Sequence, residues 1–349
     1  MRFFIKYILL LVILVAIYSC GNEKGKKEKD ISEKEEIQKG LQKQLDAEFG
    51  EYTEEVNPDD REYYKAYDKA LTLWKTAFHE LNIQTSFGNA HVIVSGPKNA
   101  EPVVLLHGMN ASSTMWYPNI YSLSQNHRVY AIDYLLEPGK SQAGREVKDM
   151  MEIMNWYDEI FDQLKLEEFS IIGASKGGWM AINIAFQQRS RIKNLILLSP
   201  VQTFIWIRPG SKMLSNITYT LLPKRKHLRR VLETLSVDVD NIKMEYIDQY
   251  FIATQKASNN KFLLQMTPYS DDELKTLTMP VLLLIGDHDI INNEKSIEKA
   301  KELLPHSVTG IVKNAGHFLS MDQSETINTI MLDFLNSNRT THAESDSVN

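Results

Sequence analysis

Ser175 stands in the stretch Ile171-Ile172-Gly173-Ala174-Ser175-Lys176-Gly177-Gly178, with one glycine two residues before it and another two residues after. An apolar run, Phe169 to Ile172, leads in, and a helix-like pattern, Trp179 to Phe186, leads out. This is the G-x-S-x-G pattern in a strand–turn–helix setting, which lifts a serine to the top of a sharp turn as a nucleophile. So sharp a turn needs strained backbone angles and neighbours with almost no bulk, and Gly173 and Gly177 supply that space. The helix that follows points its first N–H groups towards the serine, where an oxyanion would form in acyl transfer. The plainer alternative is a glycine-rich turn whose serine only caps a helix.

The elements that must hold this turn follow a strand–helix rhythm. Pro102–Leu106, Arg128–Ile132, Phe169–Ile172, Ile192–Leu198, Pro280–Ile285 and Val308–Lys313 are short apolar runs of the kind found in strands buried on both faces. Val147–Leu164 is amphipathic and crosses back to the strand before Ser175, and Asp322–Leu335 reads as a terminal helix. The alternation implies a doubly wound, mainly parallel sheet. It stops between Val201 and about Tyr269, where Phe204, Trp206, Met213, Tyr219, Phe251, Phe262 and Met266 sit among helical patterns. Upstream, Asp59–Asn82 reads as one helix, with Tyr63, Tyr67, Leu71, Trp74, Phe78 and Leu81 spaced by three and four as a core stripe. Gln84–Phe87 and His91–Ser95 read as a short strand pair joined at Gly88-Asn89, with His91 a strand residue.

Pro102–Leu106 ends in His107-Gly108-Met109, and Ser112-Ser113-Thr114-Met115-Trp116-Tyr117-Pro118-Asn119 follows. With the serine turn, these residues make the chain resemble the α/β-hydrolase superfamily from about Phe87 to Leu335. The second phrase resembles bacterial carboxylesterases related to the NP esterases. The resemblance implies an α/β-hydrolase fold with a helical cap inserted over 201–269, roofing an apolar pocket. It implies an oxyanion hole from the backbone N–H groups of Met109 and Lys176, with His107 ordering the loop. Asp133, Gly139 and Ser141 fit the family's loop-shaping positions. The triad acid is expected in Gly286-Asp287-His288-Asp289, at Asp289, with Asp287 the alternative that could instead brace the loop. The catalytic histidine is expected at His317, in Asn314-Ala315-Gly316-His317, giving the order Ser, Asp, His that this fold requires. Together these imply a serine hydrolase that cleaves carboxylic esters through an acyl-enzyme, with no cofactor and no metal. Amide, lactone or C–C bond hydrolysis on the same triad, and a non-catalytic binding lipoprotein, are the alternatives.

The chain has 349 residues and a formal net charge of −6, enough for a sizeable core and no reason to expect a nucleic-acid partner. The nine histidines show no metal-ligand spacing. One cysteine, Cys20, excludes an intramolecular disulfide. It follows a charged start, Arg2 and Lys6, and the apolar run Tyr7–Tyr18. That run is short for a spanning helix, which needs about 20 residues. Ile17-Tyr18-Ser19-Cys20-Gly21-Asn22 resembles a bacterial lipoprotein signal, which implies lipidation of Cys20 and export of the domain to a membrane face, the cell membrane or the outer membrane. An uncleaved N-terminal anchor is the alternative. The expected organisation is a signal peptide over 1–20, a charged tether over 21–58 and partly helical from Ser32 to Phe49, a core over 59–200 and 270–337, the cap, and a flexible tail over 338–349. The basic cluster Lys224-Arg225-Lys226-His227 with Arg229 and Arg230 reads either as a solvated helix face or as a patch for anionic lipid or an acidic substrate.

Overall fold

A computed structural model describes residues 31–54, 58–207, 210, 216, 219, 222–256 and 265–346. Cys20 and the signal-like segment lie outside the described residues, as do Met213 and Phe262.

Among the described residues, nine strands form one sheet: β1 (Phe78–Thr85), β2 (Gly88–Ser95), β3 (Glu101–Leu106), β4 (His127–Ile132), β5 (Gln142–Ala143), β6 (Phe169–Ala174), β7 (Ile192–Leu198), β8 (Val281–Gly286) and β9 (Ser307–Val312). The order is β1-β2-β4-β3-β6-β7-β8-β9, with β5 paired to β2. From β4 to β9 every pairing is parallel, and β1 and β2 add an antiparallel edge. The helices are α1 (residues 31–49), α2 (Arg61–Leu71), α3 (Met150–Gln163), α4 (Lys176–Gln187), α5 (Arg225–Leu235), α6 (Met244–Lys256), α7 (Glu294–Leu303) and α8 (Ser324–Asp346), besides shorter turns. The expected mainly parallel sheet is therefore present.

The central strands are apolar throughout because both faces are covered. Side chains alternate between faces along a strand. Val104, Leu106, Ile171, Leu197 and Leu283 thus join a core with residues of α3, α4 and α7. Val103, Leu105, Ile172, Ile196 and Leu282 join a second core with residues of α2, α5, α6 and α8.

Three expectations are corrected. The helix read over Asp59–Asn82 ends at Leu71, and Phe78 and Leu81 belong to β1. Spacings of three and four happened to run on past the helix, but eight residues of β1 pair with β2 in unbroken register, and that ladder fixes them as strand. The hairpin turns at Ser86-Phe87, and Gly88 opens β2 with φ +135°. A Cβ on Gly88 would lie 2.1 Å from the Gln142 carbonyl oxygen, so β5 can cross there only over a glycine. At the other end, the helical backbone of α8 continues to Asp346.

The third correction concerns the charged tether, because α1 is packed on the domain. Leu45 is 1% exposed, and Leu41 and Phe49 pack beside it at spacings of four. The Gln38 side chain accepts from the Ala77 N–H at 2.7 Å. Gln42 accepts from the Phe78 N–H and donates to the Phe78 carbonyl, at 3.2 and 2.9 Å, which satisfies an otherwise open sheet edge. Glu48 pairs with the buried Arg128 at 3.0 Å, and the Arg128 guanidinium also faces the Phe49 ring. Leu45→Ala is expected to cost about 2–5 kcal/mol of stability, read as a lower urea midpoint at constant slope.

A partly buried charge cluster joins this N-terminal segment to the sheet. Lys140 meets Glu54, Asp68 and Glu80 at 2.6, 2.7 and 2.7 Å, beneath the rings of Tyr52, Tyr64 and Tyr67. Both ring nitrogens of the fully buried His91 face carboxylates, Asp133 and Glu80, each at 3.0 Å. Burial alone would lower the pKa of His91, but the two carboxylates win and raise it. The same contacts hold Asp133 and Glu80 below their ordinary values against the upward push of burial. A raised histidine pKa contributes stability below its unfolded value of about 6.5 that is lost as pH rises through the folded value. Urea midpoints should therefore fall as pH rises above about 6.5, and His91→Gln should flatten that slope.

Candidate active site

The turn between β6 and α4 carries Ser175 at φ +52° and ψ −116°, a strained conformation for a residue with a side chain. Its N–H donates to the Leu198 carbonyl of the next strand at 2.9 Å. Gly177 is required here, since a Cβ on it would lie 2.1 Å from the Leu106 carbonyl oxygen. Sequence spacing placed the serine at the top of the turn, and it stands there, partly exposed.

His317 reaches it from the loop after β9. Its Nε2 lies 2.8 Å from Ser175 Oγ, and its Nδ1 lies 3.0 Å from Asp289 Oδ1. The side chain of Asp289, on the loop after β8, is fully buried, and its carboxylate also accepts from the Ile291 N–H at 2.8 Å and from the Asn292 side chain at 3.2 Å. Burial pushes this carboxyl up, but the His317 ring and these hydrogen bonds carry it below the usual value, so it stays ionised. The alternative acid, Asp287, points elsewhere. It accepts from His288 at 2.8 Å and from the Ala315 N–H at 3.2 Å, bracing the two loops against each other.

The loop after β3 passes over the serine. A Cβ added to Gly108 would meet Ser175 Cβ at 3.4 Å, so the backbone entering Met109 runs beside the hydroxyl. Lys176 opens α4, so its N–H is one of the helix's first donors, without an intrahelical acceptor. His107 orders the loop: Nε2 accepts from the Tyr134 N–H at 2.9 Å and Nδ1 donates to the Gly108 carbonyl at 2.8 Å. Those partners fix a neutral ring, and burial lowers its pKa accordingly. Asp133 shapes the same region, accepting from the backbone N–H groups of Ser113 at 2.8 Å and Lys140 at 2.9 Å.

Two residues that the sequence reading did not single out support this loop. Gln249 of α6 is 1% exposed and donates to Tyr63 and Ser112 at 3.0 and 2.6 Å, while accepting from Thr114 at 2.5 Å. The only sequence signal for it is a polar residue on the buried Tyr246–Tyr250–Ala253 face of the helix. Glu137 accepts from the Asn110 N–H and pairs with the Lys176 ammonium. Within the insertion the longer described helices are α5 and α6, and the end of α5 lies on the histidine loop, where Leu235 accepts from the Phe318 N–H at 2.8 Å. Phe204, Tyr219 and Met266 are buried, while Trp206 is 62% exposed. In the basic cluster, Arg225 pairs with Asp248, and Arg229 pairs with Glu233 and Asp240. No group of side chains able to hold a metal ion occurs among the described residues.

A parallel sheet with a serine raised between β6 and α4, and a histidine and an aspartate converging on it from the loops after β9 and β8, defines an α/β-hydrolase of the serine class. The sequence profile of the serine aminopeptidase S33 family matches residues 97–323, and the chain belongs to this family of α/β-hydrolases. It is 32% identical to the uncharacterized carboxylesterase nap of Bacillus subtilis over 81% of this chain and 95% of that protein. It is also 32% identical to carboxylesterase YbfK of the same species, over 78% and 93%. Among solved structures it resembles naproxen esterase (carboxylesterase NP) from Bacillus subtilis, with TM-score 0.75, 31% identity, and coverage of 80% of this chain and 99% of that one.

Proposed function

We propose that the chain is a carboxylesterase that works through a Ser175–His317–Asp289 triad. The observation that carries this reading is the unbroken hydrogen-bonded series from Ser175 Oγ through His317 to the buried Asp289. The kinship with carboxylesterases supports it. A neutral serine is a poor nucleophile. As Oγ attacks the ester carbonyl carbon, His317 Nε2 takes its proton, and Asp289 holds the ring and stabilises the imidazolium. The N–H groups of Met109 and Lys176 stabilise the tetrahedral oxyanion. Collapse expels the alcohol, which takes the proton from His317. Water then adds to the acyl-enzyme by the same route and releases the acid.

Hydrolysis of p-nitrophenyl acetate, butyrate and longer esters tests this. Turnover above buffer, with labelling of Ser175 by a fluorophosphonate, is expected. Labelling without ester turnover would move the substrate to an amide, lactone or C–C bond. Neither labelling nor turnover would leave a binding protein.

We further propose that Cys20 is lipidated and anchors the enzyme outside the cytoplasm. Support comes from the charged start, the apolar run and the cysteine that ends it. Cys20→Ser is expected to abolish incorporation of a labelled fatty acid and to release the protein from the membrane fraction.

A further inference from the structure

We propose that Glu137 is a positioning residue that locks the two sides of the oxyanion hole together. The inference rests on the esterase reading and deepens it. One oxygen of the Glu137 carboxylate pairs with the Lys176 ammonium, and the other accepts the Asn110 N–H at 2.9 Å. Lys176 is the residue after the nucleophile, and Asn110 is the residue after Met109, so a single carboxylate ties the elbow to the loop beside both donors. Asn110 sits at φ +56°, a left-handed conformation that a non-glycine residue keeps only when its surroundings hold it. The pair is shut away from water, with the side chains of Lys176 and Glu137 7% and 5% exposed, and the ammonium lies 4.0 Å from the centre of the Tyr134 ring. A buried ion pair is a poor route to stability compared with apolar packing. Here its geometry does what apolar side chains could not, since it gives the Asn110 N–H an acceptor and fixes that acceptor to α4. Burial lowers the pKa of Lys176 and Glu137 opposes it, in keeping with an ammonium that depends on its partner.

The test compares Glu137→Gln and Glu137→Leu in the full chain. Both remove the charge that faces Lys176, but only glutamine keeps a carbonyl oxygen for the Asn110 N–H. Each is assayed for kcat and KM on p-nitrophenyl butyrate, for inhibition by phenylboronic acid, and for thermal unfolding. In the boronate complex Oγ adds to boron and its proton passes to His317, leaving a tetrahedral anion whose oxygen occupies the oxyanion hole. Glu137→Leu is expected to lower kcat by about 100-fold with KM within about twofold, and to weaken boronate inhibition in the same proportion. Glu137→Gln should lose about three- to tenfold in both quantities. Equal kcat losses in the two variants, or losses that follow unfolding temperature while boronate affinity stays constant, would overturn the proposal. If Glu137→Leu does not fold, Glu137→Gln decides: a matched fall in kcat and boronate affinity supports the clamp, and an unchanged kcat removes it. A wild-type chain that binds boronate and fluorophosphonate without cleaving esters would sink the esterase reading alone, because the boronate comparison still reads the clamp. A wild-type chain that binds neither would remove both.

Discussion

Ser175→Ala is expected to lower ester hydrolysis on the order of 10⁴- to 10⁶-fold while leaving KM and the unfolding temperature close to those of the wild type. The size follows from what is lost. Without Oγ no acyl-enzyme forms, and His317, hydrogen-bonded to that oxygen at 2.8 Å, has no nucleophile to deprotonate. What survives is catalysis by the oxyanion donors and by binding, acting on water. Stability should not fall, because Ser175 holds a strained φ of +52° and its backbone contacts, not its hydroxyl, tie it to β7. The check is steady-state kinetics on p-nitrophenyl butyrate beside a thermal melt. A residual rate within tenfold of wild type would mean that the esterase chemistry lies elsewhere.

The second large effect separates two aspartates two residues apart. Asp289→Asn should lower kcat about 10⁴-fold, because an amide can turn its NH₂ towards Nδ1 and leave the imidazole in the wrong tautomer to receive the serine proton. Asp287→Asn should change kcat only severalfold. Its carboxylate serves His288 and the Ala315 N–H, so its loss loosens the loop that carries His317 without touching the ring. Acid should affect the two differently as well. The Asp289 carboxyl is held below its ordinary value, so the charge behind His317 persists above about pH 4 and fades only as pH falls through that lowered value. Parallel pH–rate profiles of the two variants, read beside the wild type, show which carboxylate stands behind the ring. Similar losses in both would reassign the triad acid.

The parts of this site that are legible in the sequence are those fixed by local chemistry. Gly173 and Gly177 announce the turn because nothing larger fits, and the all-apolar runs announce strands covered on both faces. Asp289 and His317 could be picked from the loop positions that the fold assigns them. What stayed hidden depends on long-range juxtaposition. Glu137 lies 39 residues before the lysine it holds, and Gln249 lies 135 residues after Thr114, so no spacing marks either of them. Of two misreadings, one came from periodicity and the other from composition. Phe78 and Leu81 prolonged a helical spacing into a strand. In α1, where a helix was expected, Leu41, Leu45 and Phe49 carried a genuine four-residue stripe, but the surrounding Glu, Lys and Gln made that helix look like a solvated tether.

Under the proposed lipidation of Cys20, the docking of α1 would also limit how far the enzyme can roam. With acyl chains at the proposed Cys20, a tether running to residue 58 would have let the domain wander far from the bilayer. Helix α1 is described from residue 31, and even fully extended the ten residues 21–30 would reach at most about 33–36 Å. Under the proposed lipidation, so short a reach would hold the domain close to the membrane surface. Substrates held in the same layer would meet it at an effective concentration in the millimolar range, whatever their concentration in the bulk. Such an enzyme would be selected for turnover on what the envelope presents, with little pressure for tight capture from solution.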